Sequence, residues 1–148
     1  KRRMELIEIK EKNRLIVNCF SQYYVQALEE LLKAYPDFEL IQKLYDEYRR
    51  KSKDGIDYTS VNVENNADHY LYSGTYDRIY FSVNYEAGRG KNRYCAITIK
   101  YTINSWKTIR FYYSESGAIV CDCNGVTELL SVKTLINIMN SIIMEYVA

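Results

Sequence analysis

Four cysteines and a single histidine are the first residues to weigh for metal or nucleophilic chemistry. Cys121 and Cys123 flank Asp122, while Cys19 and Cys95 stand apart. A zinc site draws thiolates or imidazoles in pairs, about two to four residues apart within a pair and from two places in the chain. Cys-x-Cys is tighter than that and has no second pair, so no metal and no other cofactor is expected. All four cysteines also fall on apolar faces, where a free thiol behaves as a small hydrophobe. His69, beside Asp68, would need a cysteine within hydrogen-bond reach to form a nucleophilic pair, and nothing in the spacing demands one. Glu29-Glu30 and Asp46-Glu47 read as solvated surface charge. No catalytic residue is expected, and the chain reads as a non-enzyme.

The stretch Ala87-Gly88-Arg89-Gly90-Lys91-Asn92 resembles a phosphate loop only superficially. Such a loop needs glycines set further apart, then Lys followed by Ser or Thr at the start of a helix. Asn92 stands in the hydroxyl position and a strand pattern follows. We expect a hairpin loop that offers Arg89, Lys91 and Arg93 to phosphates or to an acidic protein surface.

The strongest pattern lies between Asp77 and Cys123, where apolar and polar residues alternate. Ile79, Phe81, Val83 and Tyr85 form one row; Cys95, Ile97, Ile99, Tyr101 and Ile103 a second; Ile109, Phe111 and Tyr113 a third; Ile119, Cys121 and Cys123 a fourth. Strand side chains repeat on one face every second residue, so these rows point into a core. The interleaved set includes Tyr80, Ser82, Asn84, Tyr94, Thr98, Lys100, Thr102, Trp106, Thr108, Arg110 and Tyr112. Of these, Tyr80, Tyr94, Lys100, Trp106, Arg110 and Tyr112 are the expected contact residues. Tyr, Trp and Arg dominate protein interfaces, so another protein is the first expected partner. Aromatic rings on a sheet also stack bases while Lys and Arg hold phosphates, which makes RNA or single-stranded nucleic acid the alternative.

Helical spacing precedes this sheet. Ile16, Cys19, Phe20, Tyr23, Tyr24, Ala27, Leu28, Leu31, Leu32 and Tyr35 recur at i, i+3, i+4 and i+7, so a helix is expected from Arg14, or from as early as Met4, to Tyr35. The competing pattern makes Leu6–Ile9 and Leu15–Phe20 two strands around Lys12-Asn13. Pro36 stops the helix, and Asp37 is placed to cap a second, which runs through Phe38, Ile41, Leu44, Tyr45 and Tyr48 to the basic run ending at Lys53. Ile56 to Asp68 suggests an edge strand and loop. Turn signals follow at Ser73-Gly74, Glu86–Lys91, Asn104-Ser105, Ser114–Gly117 and Asn124-Gly125. A last helix is expected over 127–147, with Val132, Leu135, Ile136, Met139, Ile142, Ile143 and Tyr146 as its apolar stripe. That stripe also suggests self-association.

The expected fold is therefore α+β and a single domain over 1–148: N-terminal helices over 1–53, an antiparallel meander of four to six strands over 56–124, and a C-terminal helix packed on one sheet face. A chain of 148 residues with 47% apolar and 26% charged content can bury a core without metals or disulfides. A net charge of +1 is not the footprint of a strongly basic nucleic-acid binder. No run is long and apolar enough to span a membrane, and the basic start lacks the features of a signal peptide, so an intracellular location is expected. The 16 tyrosines, with many Ile, Asn and Lys, suggest A+T-rich coding DNA of the kind found in viruses and mobile elements. The sequence thus leads us to expect a protein-binding domain, such as an assembly head or a virus-encoded inhibitor of a host protein.

Overall fold

The structure, a computed structural model, describes residues 2–53, 68–88, 94–123 and 125–148. It is α+β, as the patterning predicts. Two helices, α1 (Arg2–Ala34) and α2 (Glu39–Lys53), precede strands β1 (His69–Tyr76), β2 (Ile79–Glu86), β3 (Ala96–Thr102), β4 (Trp106–Tyr113), β5 (Ile119–Cys123) and β6 (Val126–Leu129), and helix α3 (Val132–Val147) closes the chain. The strands pair antiparallel in sequence order, β1-β2-β3-β4-β5-β6. The expected edge strand over Ile56–Asp68 falls, except for Asp68, outside the described residues.

The two-strand pattern around Lys12-Asn13 yields to one continuous helix. Ile16, Val17, Phe20, Tyr24, Ala27, Leu28 and Leu31 are buried along its inner side. Asn13, which looked like a turn residue, is buried mid-helix because its Oδ1 accepts the Cys95 backbone N–H at 2.8 Å. After α1 the chain turns at Tyr35–Phe38, closed by Phe38 N–H to Tyr35 C=O at 3.2 Å. Pro36 takes the second position of that turn, which its fixed φ favours. Asp37 sits inside the turn, so α2 starts at Glu39 without the expected Asp37 cap.

Ser73-Gly74 does not turn. Gly74 pairs with Phe81 inside β1, and the reversal comes at Asp77-Arg78, where Asp77 has φ +50. A two-residue hairpin loop needs such left-handed backbone, and Asp tolerates it better than most residues. Gly125, with φ +82, lies in the β5–β6 connection. Val126–Leu129 consequently folds back on β5 as a strand instead of opening the last helix. That helix begins after Ser131, whose Oγ accepts the Thr134 N–H at 3.0 Å as an N-cap.

The helices cover one face of the sheet. Phe20 of α1 meets Phe111 of β4 with ring centroids 5.3 Å apart, and Tyr24 stands edge-on to Tyr48 of α2. Burying Phe20, Phe81 and Phe111 contributes roughly 1.5–3 kcal/mol each. The stripe of α3, Leu135, Ile138, Met139, Ile142 and Ile143, is buried in the same core and packs against α1. Of the stripe that suggested self-association, Leu135, Met139, Ile142 and Ile143 are buried within the chain and Val132, Ile136 and Tyr146 are partly buried, while Met144 and Val147 are exposed. Helix α3 also grips the sheet through Glu145, which accepts from Tyr101 Oη at 3.2 Å and Lys107 Nζ at 2.8 Å. Among the described residues, no helix is long and apolar enough to cross a membrane.

Candidate interaction surface

Register brings the polar residues of the other sheet face into cross-strand rows. Thr75, Tyr80, Thr102 and Trp106 form one; Ser73, Ser82, Lys100 and Thr108 the next; Tyr70, Asn84, Thr98 and Arg110 the third. Across the first row the Tyr80 and Trp106 rings meet edge-to-face over Thr102, centroids 5.6 Å apart at 70°. Trp106 remains 65% exposed and Tyr70 67% exposed. Tyr80 is half-buried, so the pair forms a rigid apolar wall with Trp106 as its exposed edge, and it needs no rearrangement to meet a partner.

Between these walls lies a shallow bowl of about 410 Å³, lined by Tyr70, Tyr80, Ser82, Asn84, Lys100, Trp106 and Thr108. Ser82 and Asn84, both buried, are joined by an Asn84 Nδ2 to Ser82 Oγ hydrogen bond of 3.1 Å. The site therefore has ring walls, amide and hydroxyl groups among its lining, and one ammonium at its side. Such a mixture suits an extended side chain with an apolar stem and a polar tip.

The cations of this face are partly neutralised. Lys100 Nζ lies 3.9 Å and Arg110 Nε 3.8 Å from the Glu86 carboxylate. The Arg110 guanidinium also sits over the Tyr112 ring, 5.3 Å from its centroid. Tyr112 Oη donates to Asp122 at 2.9 Å, and this bond raises the phenol pKa above its usual value. Arg110 and Tyr112 thus form a second, internally bonded cluster beside the bowl.

The nine expected contact residues therefore separate. Tyr80, Lys100 and Trp106 line the bowl, and Arg110 and Tyr112 flank it. Tyr94 does not join them. It lies at a bend two residues before β3, where strand alternation no longer governs direction, and its ring packs on the helix side against Tyr113 at 5.4 Å. Lys12 of α1 lies over both rings, and Tyr94 Oη donates to Glu8 at 3.4 Å. Arg89, Lys91 and Arg93 lie outside the described residues. Tyr70 is the wall residue that sequence reasoning missed. A register shift between Tyr70 and Tyr72 interrupts the alternation of β1, so the row could not be extended back from Asp77.

The pairing also separates the residues considered for a nucleophilic pair. His69, Tyr85, Ile97, Phe111 and Cys121 occupy successive strands of one row, so the backbones at His69 and Cys121 stand four strand spacings, about 19 Å, apart. The Cys95 thiol is buried, bonded to Asn13 C=O at 3.8 Å, and pushed up to about 12 by desolvation. A thiol so raised is a poor nucleophile at neutral pH. No protein-family model matches this chain, and no curated protein or solved structure matches it either.

Proposed function

We propose that this chain is a non-catalytic protein-interaction domain that holds a partner protein on the open sheet face, with the bowl between Tyr70 and the Tyr80–Trp106 pair as its centre. The supporting observation is the combination of exposed, pre-packed rings with cations already paired to Glu86. Nucleic acid would be held by unpaired positive charge. A protein partner gains instead from a desolvated aromatic anchor, and such centres carry most of the binding energy of an interface. The four unpaired cysteines suit a reducing compartment, so the site of action in this reading is inside the cell.

Affinity capture from the native cell, with half of each sample treated with nuclease, tests the proposal. The wild-type chain is expected to retain a protein partner after nuclease, and the double variant Tyr80→Ala/Trp106→Ala to lose it with an unchanged circular dichroism spectrum. Capture that the folded double variant keeps in full would refute the assignment. Capture that nuclease abolishes would transfer the face to nucleic acid.

A further inference from the structure

Cys121 and Cys123 project from the same face of β5, and their sulfur atoms are 3.5 Å apart. Residues two apart on a strand are separated by roughly 6.6 Å along the backbone, so the two side chains lean toward each other. Cys121 is fully buried, whereas Cys123 is half-buried and lines a groove of about 710 Å³ between β4, the β5–β6 hairpin and α3. Val126, Glu128, Ile138 and Ser141 line the same groove, which is open to solvent and wide enough to admit an ion.

Among the described residues, no group of three or more His, Cys, Asp and Glu side chains gathers at one point. Four-coordinate zinc and oxygen-coordinated calcium or magnesium therefore have no donor set here. An ion satisfied by two sulfurs does. Soft thiolate ligands select copper(I). With metal–sulfur bonds of about 2.3 Å, two sulfurs on one ion lie at most about 4.6 Å apart, within reach of a pair at 3.5 Å after modest side-chain rotation. A disulfide fits less well, because a backbone separation near 6.6 Å lies at the upper end of disulfide geometry and closure would bend β5 away from its partners.

We propose that Cys121 and Cys123 form a two-sulfur site for a soft monovalent cation, copper(I), which enters from the groove beside α3. In binding, two S–H bonds each give a proton to solvent and two copper–sulfur bonds form. No electron moves. The two cysteines belong to the core-facing set, although the groove that leads to them shares Thr108 and Asp122 with the open face.

The test is an anaerobic titration of the reduced chain with copper(I), in competition with a chromophoric copper(I) chelator. One copper per chain should be withdrawn from the chelator, with the ultraviolet band of a copper–thiolate. Cys123→Ser, at the half-buried position, should abolish the withdrawal with an unchanged circular dichroism spectrum, and Cys19→Ser should not affect it. A wild-type chain that withdraws no copper, or a Cys123→Ser chain that withdraws as much as wild type, would overturn the proposal.

Discussion

Thr98 illustrates what a single atom contributes in this molecule. It sits at the centre of the sheet, fully buried, and among the described residues its Oγ1 has no hydrogen-bond partner. A desolvated hydroxyl left without a partner costs about 1–3 kcal/mol. Valine has the same branching and a similar preference for strands, so Thr98→Val removes that cost and keeps the shape. We expect the variant to be more stable by about 1 kcal/mol, read as a higher urea midpoint at unchanged slope. A lower midpoint would show that the hydroxyl contributes rather than costs. The sequence placed Thr98 on the polar face correctly, because alternation reports direction. It could not report burial there, which depends on the longer side chains of neighbouring strands. The same limit hid Tyr70, whose direction depends on a register shift in β1, and misplaced Tyr94, which lies beyond the end of regular strand.

At the scale of elements, polar clamps fix helices to sheet at points the apolar pattern cannot specify. Asn13 is one such clamp. Its side chain takes the Cys95 N–H at 2.8 Å while its C=O faces the Cys95 thiol, tying α1 to the start of β3. Nearby, Tyr113 Oη donates to Lys12 C=O at 2.8 Å. Asn13→Ala gains up to about 0.7 kcal/mol of helix propensity but leaves a buried N–H without an acceptor, at about 1–3 kcal/mol. The second effect is larger, so we expect a net loss of about 1–2 kcal/mol in urea unfolding; a stabilised variant would show that the clamp is dispensable. The helical region ahead of a run of strands, and the closing helix, were legible because long periodic runs and Pro36 mark them plainly. What was not legible were long-range partners. Asn13 resembles a turn residue until Cys95 is brought beside it, and Val126–Leu129 resembles a helix start until it pairs with β5.

Across the whole molecule, burial of protonated side chains sets a limit at alkaline pH. Tyr101 and Tyr113 are pushed up from 10.0 to about 12, first by burial, then by Glu145 for Tyr101 and by Cys95 for Tyr113. Cys95 rises from 9.0 to about 12, again through burial. Between pH 9 and 12 the folded chain therefore keeps protons that the unfolded chain releases. Stability falls with rising pH wherever the folded state binds more protons, so the contribution of these groups is complete below about pH 9 and lost on passing 12. Tyr101, Glu145 and Lys107 join α3 to the sheet, while Tyr113 and Cys95 join α1 to it, so both attachments weaken in one pH window. We expect a single cooperative alkaline transition in which a slow increase in tyrosinate absorbance coincides with loss of the circular dichroism signal, after a faster increase from surface phenols. If all 16 tyrosines titrated in one fast step while the helical signal persisted, burial of these phenols would not be what couples the helices to the sheet.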